Sequence, residues 1–383
     1  MNMVEYSEYR LGLLCKRFSS GKGISADLIN ETGKYPVIGG NGLRGYTDTY
    51  NFDGECAVIG RQGAYCGNVQ FFSGKGYMTE HAVVTQPNSA NNAKYLTYKL
   101  SGLSLGRFSG RAAQPGLSVT KLARLRIEMP PKWYQDRVAG ILSAYDNLIE
   151  VNNKRIKVLE QIAENLYKEW FVRFRFPGHE KADFENGIPK GWRRGRISEF
   201  YTTSSGGTPS RELDEYYVDG TIPWIKTGEL QDCLLIDTEE RITEVAVKKS
   251  SAKFFPKDSV LMAMYGVNIG MLAYSTMDAT CNQACCVFRD KGNISTKHYL
   301  FQCLKSIRDY LLLISFGAAQ QNLSQDLIKR VRIVMPGEET VIRFEQKIEP
   351  LYNEIKHLLK ANACLIRQRD LLLLRLMSGK LEV

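Results

Sequence analysis

No run of apolar residues in this chain approaches a membrane span. The longest, such as Leu311-Leu312-Leu313-Ile314, stop after about one helical turn, where a spanning helix needs ~20 residues. The opening residues, MNMVEYSEYR, carry no signal-peptide pattern. Histidine is scarce, with four isolated residues in 383, so a zinc site is not expected. The nine cysteines, Cys15, Cys56, Cys66, Cys233, Cys281, Cys285, Cys286, Cys303 and Cys364, form no C-x-x-C pair. An odd count without metal-ligand spacing reads as reduced thiols of a cytoplasmic protein. Cys281, Cys285 and Cys286 read as small buried residues.

Catalytic signatures are equally sparse. There is no G-x-x-x-x-G-K-[ST] phosphate loop and no H-E-x-x-H. The Asn-Pro-Pro-aromatic and Asp-Pro-Pro-aromatic tetrapeptides of an amino-methyltransferase are also missing. The glycine-rich stretch Gly60 to Gly67 lies between strand-like runs with no helix opening after it, and reads as a turn. No catalytic residue is therefore assigned, and a non-catalytic chain is expected.

With 44% hydrophobic and 24% charged residues the chain is an ordinary globular protein rather than a disordered one. Its length suggests two or three domains. The net charge of +10 is concentrated in the first 130 residues. That surplus fits a polyanionic partner; an ordinary basic protein fits it as well.

The chain repeats itself. Gly33-Lys34-Tyr35-Pro36-Val37-Ile38 matches Gly220-Thr221-Ile222-Pro223-Trp224-Ile225, and Phe52, Gly63 and Gly67 match Phe255, Gly266 and Gly270. The clearest block runs from Ala112-Ala113-Gln114 to Met129-Pro130, against Ala318-Ala319-Gln320 to Met335-Pro336, with 10 of 19 positions identical at an offset of 206. Asn152 and Ile156 fall on Asn362 and Ile366. The offset grows along the chain from 187 to 210, so the second copy carries longer loops. Only two long units exist, which excludes a short-period solenoid.

Each copy begins β-rich and ends helical. Strand-like runs at Tyr35–Ile38, Ala57–Ile59, Val69–Phe72 and Ala82–Val84 are punctuated by glycine turns, and a helical stretch follows near Lys94–Leu105. A 3-4 spaced apolar stripe then runs from Val138 through Leu142, Ile149, Asn152, Ile156 and Leu159 to Trp170. Its counterpart spans Glu338 to Leu376, with Val341, Ile348, Ile355, Asn362, Arg369 and Leu376 in one set and Phe344, Leu351, Leu358, Leu365 and Leu372 in the other. Such a stripe demands a partner, because each buried leucine is worth ~1.5–3 kcal/mol. The two stripes are expected to pair antiparallel, with Asn152 and Asn362 as candidate register locks in the seam. Either asparagine equally suits a gap or solvent. Pro350 should kink or split the second helix near Glu349.

The expected architecture is thus α+β: two β-rich domains separated by two long antiparallel helices in a coiled coil, a pseudo-two-fold tandem duplication. The boundaries fall at 1–130 for the first β-rich domain, 131–176 for the first helical region, 177–336 for the second domain with a linker at 177–191, and 337–383 for the second helical region.

Polar residues beside glycine turns form the candidate nucleic-acid contacts. In the first domain these are Lys22, Lys34, Arg44, Arg61, Gln62, Arg107 and Arg111. In the second they are Thr208, Ser210, Arg211, Lys226, Tyr265, Asn268, Asn282, Gln283 and Gln320. Lysine and arginine bind phosphate or guanine, and asparagine and glutamine pair with adenine. Any one of them also suits a solvated surface or a turn cap, and the repeated Gln114 and Gln320 equally suit a structural role.

Several motifs carry a family resemblance: Ser205-Gly206-Gly207-Thr208-Pro209-Ser210, Gly220 to Leu230, Thr280 to Ala284, Asn165 to Phe174 and Arg369 to Gly379. With the weaker Tyr35 to Gly42 and Gly45-Tyr46, they make nearly the whole chain resemble a specificity (S) subunit of a bacterial or archaeal type I restriction–modification system. The resemblance implies two target recognition domains, each reading one half of a bipartite duplex DNA site. It implies helices that space the domains and dock two methyltransferase (M) subunits, with restriction/translocase (R) subunits joining them. It implies a cytoplasmic chain without cofactors of its own, S-adenosylmethionine and ATP/Mg serving the partners. At ~1.5 Å rise per residue, helices of this length span roughly 50–60 Å. Two other classes compete with this reading: a stand-alone DNA-modifying enzyme with unrecognised motifs, and a coiled-coil scaffold that binds no DNA.

Overall fold

The strand-like runs of the first domain all become strands, because their β-branched and aromatic residues fall between glycine and asparagine turns. In the computed structural model, which describes residues 4–110, 116–292, 294–315, 322–379 and 381, the chain divides into two units. One is Met1–Glu150 with Cys364–Val383, and the other is Val151–Ala363.

The first unit contains β1 (Ser7–Arg10), β2 (Cys15–Ser20), β3 (Tyr35–Gly39), β4 (Gly42–Thr47), β5 (Phe52–Gly60), β6 (Val69–Met78), β7 (Ala82–Pro87), α1 (Ala93–Ser101), α2 (Val119–Ala123) and β8 (Arg126–Met129). Six strands form one sheet in the order β2-β7-β5-β6-β3-β4. All neighbours are antiparallel except β3 and β6. Strand β5 is buried on both faces. Ala57 and Ile59 pack with Tyr95, Leu96 and Leu100 of α1, while Cys56 and Val58 pack with Ile38, Met78 and Val84. That two-residue alternation is the strand period itself. Apart from the sheet, β1 pairs with β8 and closes the domain at its two ends.

In the second unit, β9 (Phe184–Glu185) and β10 (Ile188–Pro189) form a hairpin. Its turn is Asn186-Gly187, both at positive φ, as a two-residue hairpin requires. There follow β11 (Arg193–Arg196), α4 (Ile197–Phe200), β12 (Tyr201–Ser205), β13 (Ile222–Ile225), β14 (Cys233–Leu235), β15 (Arg241–Ile242), α5 (Glu244–Lys249), β16 (Val260–Ala263), β17 (Leu272–Ser275), β18 (Thr280–Cys281), β19 (Cys285–Asp290), α6 (Lys297–Ser306), α7 (Arg308–Ser315), α8 (Gln325–Arg330) and β20 (Arg332–Met335). A five-stranded sheet, β12-β19-β16-β17-β14, stands beside a three-stranded one, β15-β13-β18. Strand β11 pairs with β20 as β1 pairs with β8.

The duplication is visible in backbone detail. Gly63 and Gly67 have φ of +78° and +89°; Gly266 and Gly270 have +89° and +79°. Gly67 donates to the Gly60 carbonyl at 2.8 Å, and Gly270 to the Ala263 carbonyl at 2.8 Å. Leu117 and Leu323 then hydrogen-bond to Arg61 and Met264 in the same relation. A side chain at these glycines would force a left-handed backbone, so the G-x-x-x-G spacing is a turn requirement.

Two long helices belong to both units, α3 (Lys132–Tyr167) and α9 (Glu338–Met377). The end of α3 widens into a π-helical turn at Lys168–Val172, where Trp170 and Phe171 are both buried. Within the second unit the helices run antiparallel. Asn152 faces Asn362, Arg155 pairs with Glu354 at 2.9 Å, and Trp170 packs on Phe344. Within the first unit, Asp146 pairs with Arg369 at 2.7 Å, and Val138 and Leu142 share a core with Leu376. Of the expected seam, Val341, Phe344, Ile348, Ile355, Leu358, Asn362 and Leu376 are buried. Pro350 does not split α9, which is one helix across it. The proline is exposed, as are Gln346 and Lys347. Pro350 has no amide to give the Gln346 carbonyl, and both residues lie on the exposed side while Ile348 on the seam stays buried.

Asn152 Nδ2 donates to Asn362 Oδ1 at 2.8 Å, and Asn362 Nδ2 donates to Asn153 Oδ1 at 2.9 Å. An unpaired buried amide costs about 1–3 kcal/mol. Asn152→Leu alone should therefore lower thermal stability, whereas the Asn152→Leu/Asn362→Leu pair should recover it or exceed it, at the expense of a single register. Thermal melting of both variants checks this. A single variant as stable as the pair would show that the asparagines are not coupled.

Candidate nucleic-acid interface

In the second unit the three motifs around Ser205, Gly220 and Thr280 meet. Gly207 donates from its amide to the Cys281 carbonyl at 2.9 Å, Trp224 Nε1 donates to the Gly207 carbonyl at 3.0 Å, and Asn282 donates from its amide to the Ile225 carbonyl at 3.0 Å. A Cβ on Gly206 would stand 1.9 Å from the Cys281 carbonyl oxygen, and one on Gly207 2.2 Å from Ser251 Oγ. The two glycines are thus there for close backbone packing. This framework presents Thr208, Ser210 and Gln283 outward as exposed groups. Thr208 donates from its hydroxyl to Gln283 Oε1. Burial shifts the phenol of Tyr265 upward, with the Gln283 side chain opposing that shift.

The other second-unit candidates are already engaged. Asn268 Nδ2 donates to the carbonyls of Thr227, Gly228 and Leu230 at 3.0–3.3 Å and braces that loop. Asn282 Oδ1 accepts from the Ala284 amide at 3.2 Å. Arg211 lies 4.5 Å and 5.0 Å from the rings of Tyr217 and Trp224 and pairs with Glu240 at 2.7 Å. Lys226 pairs with both Glu239 and Glu240 at 2.9 Å. Local spacing gave no sign of this ion cluster, because the glutamates lie far along the chain from their partners. Gln320 lies outside the described residues.

In the first unit, Gly39 and Gly40 sit between Arg44 and the Gly60-Arg61 backbone: a Cβ on Gly39 would be 2.7 Å from Arg44 Cδ, and one on Gly40 would be 3.5 Å from Gly60 Cα. Lys22 joins this side of the sheet through its amide, which donates to the Met78 carbonyl at 2.9 Å. Lys22, Arg44 and Gln62 are exposed. Arg61 is turned inward, donating to the Leu117 carbonyl at 3.3 Å and to Ser20 Oγ at 3.4 Å. Lys34, just before β3, lies over Tyr35, which packs at a tilt against Tyr50 beneath Lys75. Arg107 covers Phe108 elsewhere. Arg111 and Gln114 lie outside the described residues.

Comparison with known proteins matches this duplicated plan. The sequence model described as "Type I restriction modification DNA specificity domain" matches twice, over residues 3–161 and 189–361. The chain belongs to the type I restriction–modification specificity family. The MjaIX type I restriction enzyme specificity subunit of Methanocaldococcus jannaschii is 27% identical over 316 residues, covering 78% of this chain and 71% of the relative. The EcoprrI specificity subunit of Escherichia coli is 39% identical over 166 residues, covering 42% of this chain and 41% of that protein. The fold is shared with a type I restriction–modification S subunit from M. genitalium, at a TM-score of 0.67 and 16% identity, over 98% of this chain and 97% of that one.

Glu240 is the hinge of the ion cluster. Arg211 first, then Lys226, holds its carboxyl below the usual carboxylate range. A carboxylate depressed in the folded state stabilises above its unfolded pKa of about 4.3, and that contribution is lost as pH falls through the folded value. Glu240→Gln should therefore lower the melting temperature at pH 7 by an amount worth about 0.5–1 kcal/mol, as for partly exposed pairs. The difference from the parent should shrink as pH falls below about 4.3 and vanish once pH is below the folded-state value. Melting curves of the two proteins from pH 7 to pH 3 provide the measurement.

Proposed function

We propose that this chain is the non-catalytic, DNA-reading subunit of a type I restriction–modification assembly. Each β-rich domain reads one half of a bipartite duplex target. The long helices set the spacing of the two halves and dock two methyltransferase subunits, to which restriction/translocase subunits are added. S-adenosylmethionine and ATP/Mg are used by those partners, and the assembly works in the cytoplasm.

The observation that carries this reading is the exact repetition of the closing strand pair. Arg10 opposes Arg126 in one domain and Arg196 opposes Arg332 in the other. A helix leaves each pair: α3 starts three residues beyond β8, and α9 three beyond β20. Two recognition modules grown from one plan suit a split target. Variable polar loops on a rigid scaffold suit a changing target sequence. Thr208, Ser210, Gln283 and Tyr265 are the favoured base-contacting group in the second domain, and Lys22, Arg44 and Gln62 in the first.

The test is domain exchange in the full chain, reconstituted with the host's methyltransferase subunits. Replacing residues 192–336 with a homologous domain should change one half of the methylated sequence and leave the other as it was. A change in both halves would defeat the modular reading. An assembly with no preference among duplexes would favour the scaffold alternative instead.

A further inference from the structure

The closing strand pair of the second unit has an exposed face made of like charges. Strand alternation puts Arg194 and Arg196 of β11 on one side, with Gly195 buried on the other. Arg332 stands directly opposite Arg196, and Val334 opposite Arg194. Like charges directly opposed across antiparallel strands are destabilising. In the first unit the same positions hold Glu8 and Arg10 facing Glu128 and Arg126. There, Arg126 is neutralised by Glu8 at 2.6 Å. The second unit has replaced both glutamates, one with arginine and one with valine.

Among the described residues, Arg194, Arg196, Arg330 and Arg332 form no ion pair with a carboxylate. Glu199 accepts from the backbone amide of Arg196 at 2.8 Å. Asp326 lies 3.8 Å from Lys329. Arg196, Arg330 and Arg332 line an open cleft of about 690 Å³, together with Tyr310, Ser324 and Asp326. Three guanidinium groups and two hydroxyls present donors, and the single carboxylate has its own lysine.

We propose that this cleft binds successive phosphates of the DNA backbone, as a sequence-independent clamp built into the second recognition unit. The proposal rests on the DNA-reading function above and assigns it a phosphate site outside the base-reading loops. A lining with three guanidinium groups and a single carboxylate suits an array of oxyanions, whose acceptors need no return donors. An acidic protein segment would also bring backbone N–H groups, for which the lining side chains offer only Asp326 and the hydroxyl oxygens of Ser324 and Tyr310 as acceptors. Arg194 and Arg196, two residues apart along β11, are separated by about 6.6 Å, a spacing at which both can meet one strand's backbone.

The test uses the full chain reconstituted with the host's methyltransferase subunits. Binding to a target duplex and to a random duplex is followed by fluorescence anisotropy between 50 and 300 mM salt. R196Q/R330Q/R332Q should reduce the slope of log affinity against log salt by about 2–3, since each phosphate contact contributes ~0.9. Affinity for both duplexes should fall by a common factor, with the ratio between them unchanged. R196K/R330K/R332K, which keeps the charge, should retain the slope and so separates phosphate binding from a folding defect. R10Q/R124Q/R126Q in the first unit should shift the slope less, because Glu8 already holds Arg126.

An unchanged slope in the glutamine variant would overturn the clamp. Weakened assembly with the methyltransferase at constant slope would assign the face to a protein partner and also overturn it. A changed target-to-random ratio would make the cleft a base reader instead. Failure of the parent assembly to distinguish the two duplexes would sink the DNA-reading function, while the slope comparison would still decide the phosphate site.

Discussion

The second unit is held together at one aromatic node. Phe344 of α9 packs on Phe171 with ring centroids 4.8 Å apart, and Phe171 in turn meets Tyr299 of α6 at 4.9 Å and Trp192 at 5.8 Å. Both long helices, the recognition domain and the strand that re-enters it therefore share one set of rings. Edge-on aromatic pairs add roughly 0.5–1.5 kcal/mol each beyond the area they bury, and they fix angles as well as distances. The π-helical turn at Lys168–Val172 carries both Trp170 and Phe171 into this core. This node joins the second unit's domain to both of its helices.

The seam of α9 and the four-block repeat were legible in the sequence because they rest on rules of period and backbone. Apolar residues every three and four positions must find a partner, and Gly63, Gly67, Gly266 and Gly270 occupy turns that other residues enter with strain. The pairing of Asn152 with Asn362 was legible for the same reason, since both fall at the seam positions of equivalent stripes. Of the two outcomes expected of Pro350, a kink or a split, the split does not occur, and the proline lies on the exposed side of the helix.

The candidate interface was less legible, because residue type says nothing about prior commitments. Arg211 and Lys226 look like phosphate ligands until Glu239 and Glu240 are placed beside them. Asn268 and Asn282 look like adenine readers until their amides are seen bracing turns. Arg61 has its guanidinium turned to Leu117 and Ser20. These residues hold the loop frame, and a frame stiffened by ion pairs and amide braces can orient Thr208, Gln283 and Tyr265 without burying them. Partners such as Glu345, which bonds His298 and caps the start of α6, lie so far apart in sequence that only the fold could join them.

Comparison of the two closing strand pairs shows where the copies were free to diverge. Ile127 and Ile333, each 4% exposed, sit at equivalent positions and are the same residue. One strand face over, Glu8 and Glu128 have become Arg194 and Val334. Burial couples a residue to many neighbours, so a change there disturbs packing throughout the core. An exposed strand face is coupled mainly to solvent and to whatever docks on it, so its charge can be inverted at small cost to the fold. Because the pairs share one register, a charge difference between them leaves the backbone alone and alters what each face attracts. Duplication in this chain has thus kept its geometry in the buried positions and allowed its two halves to acquire different surface chemistry.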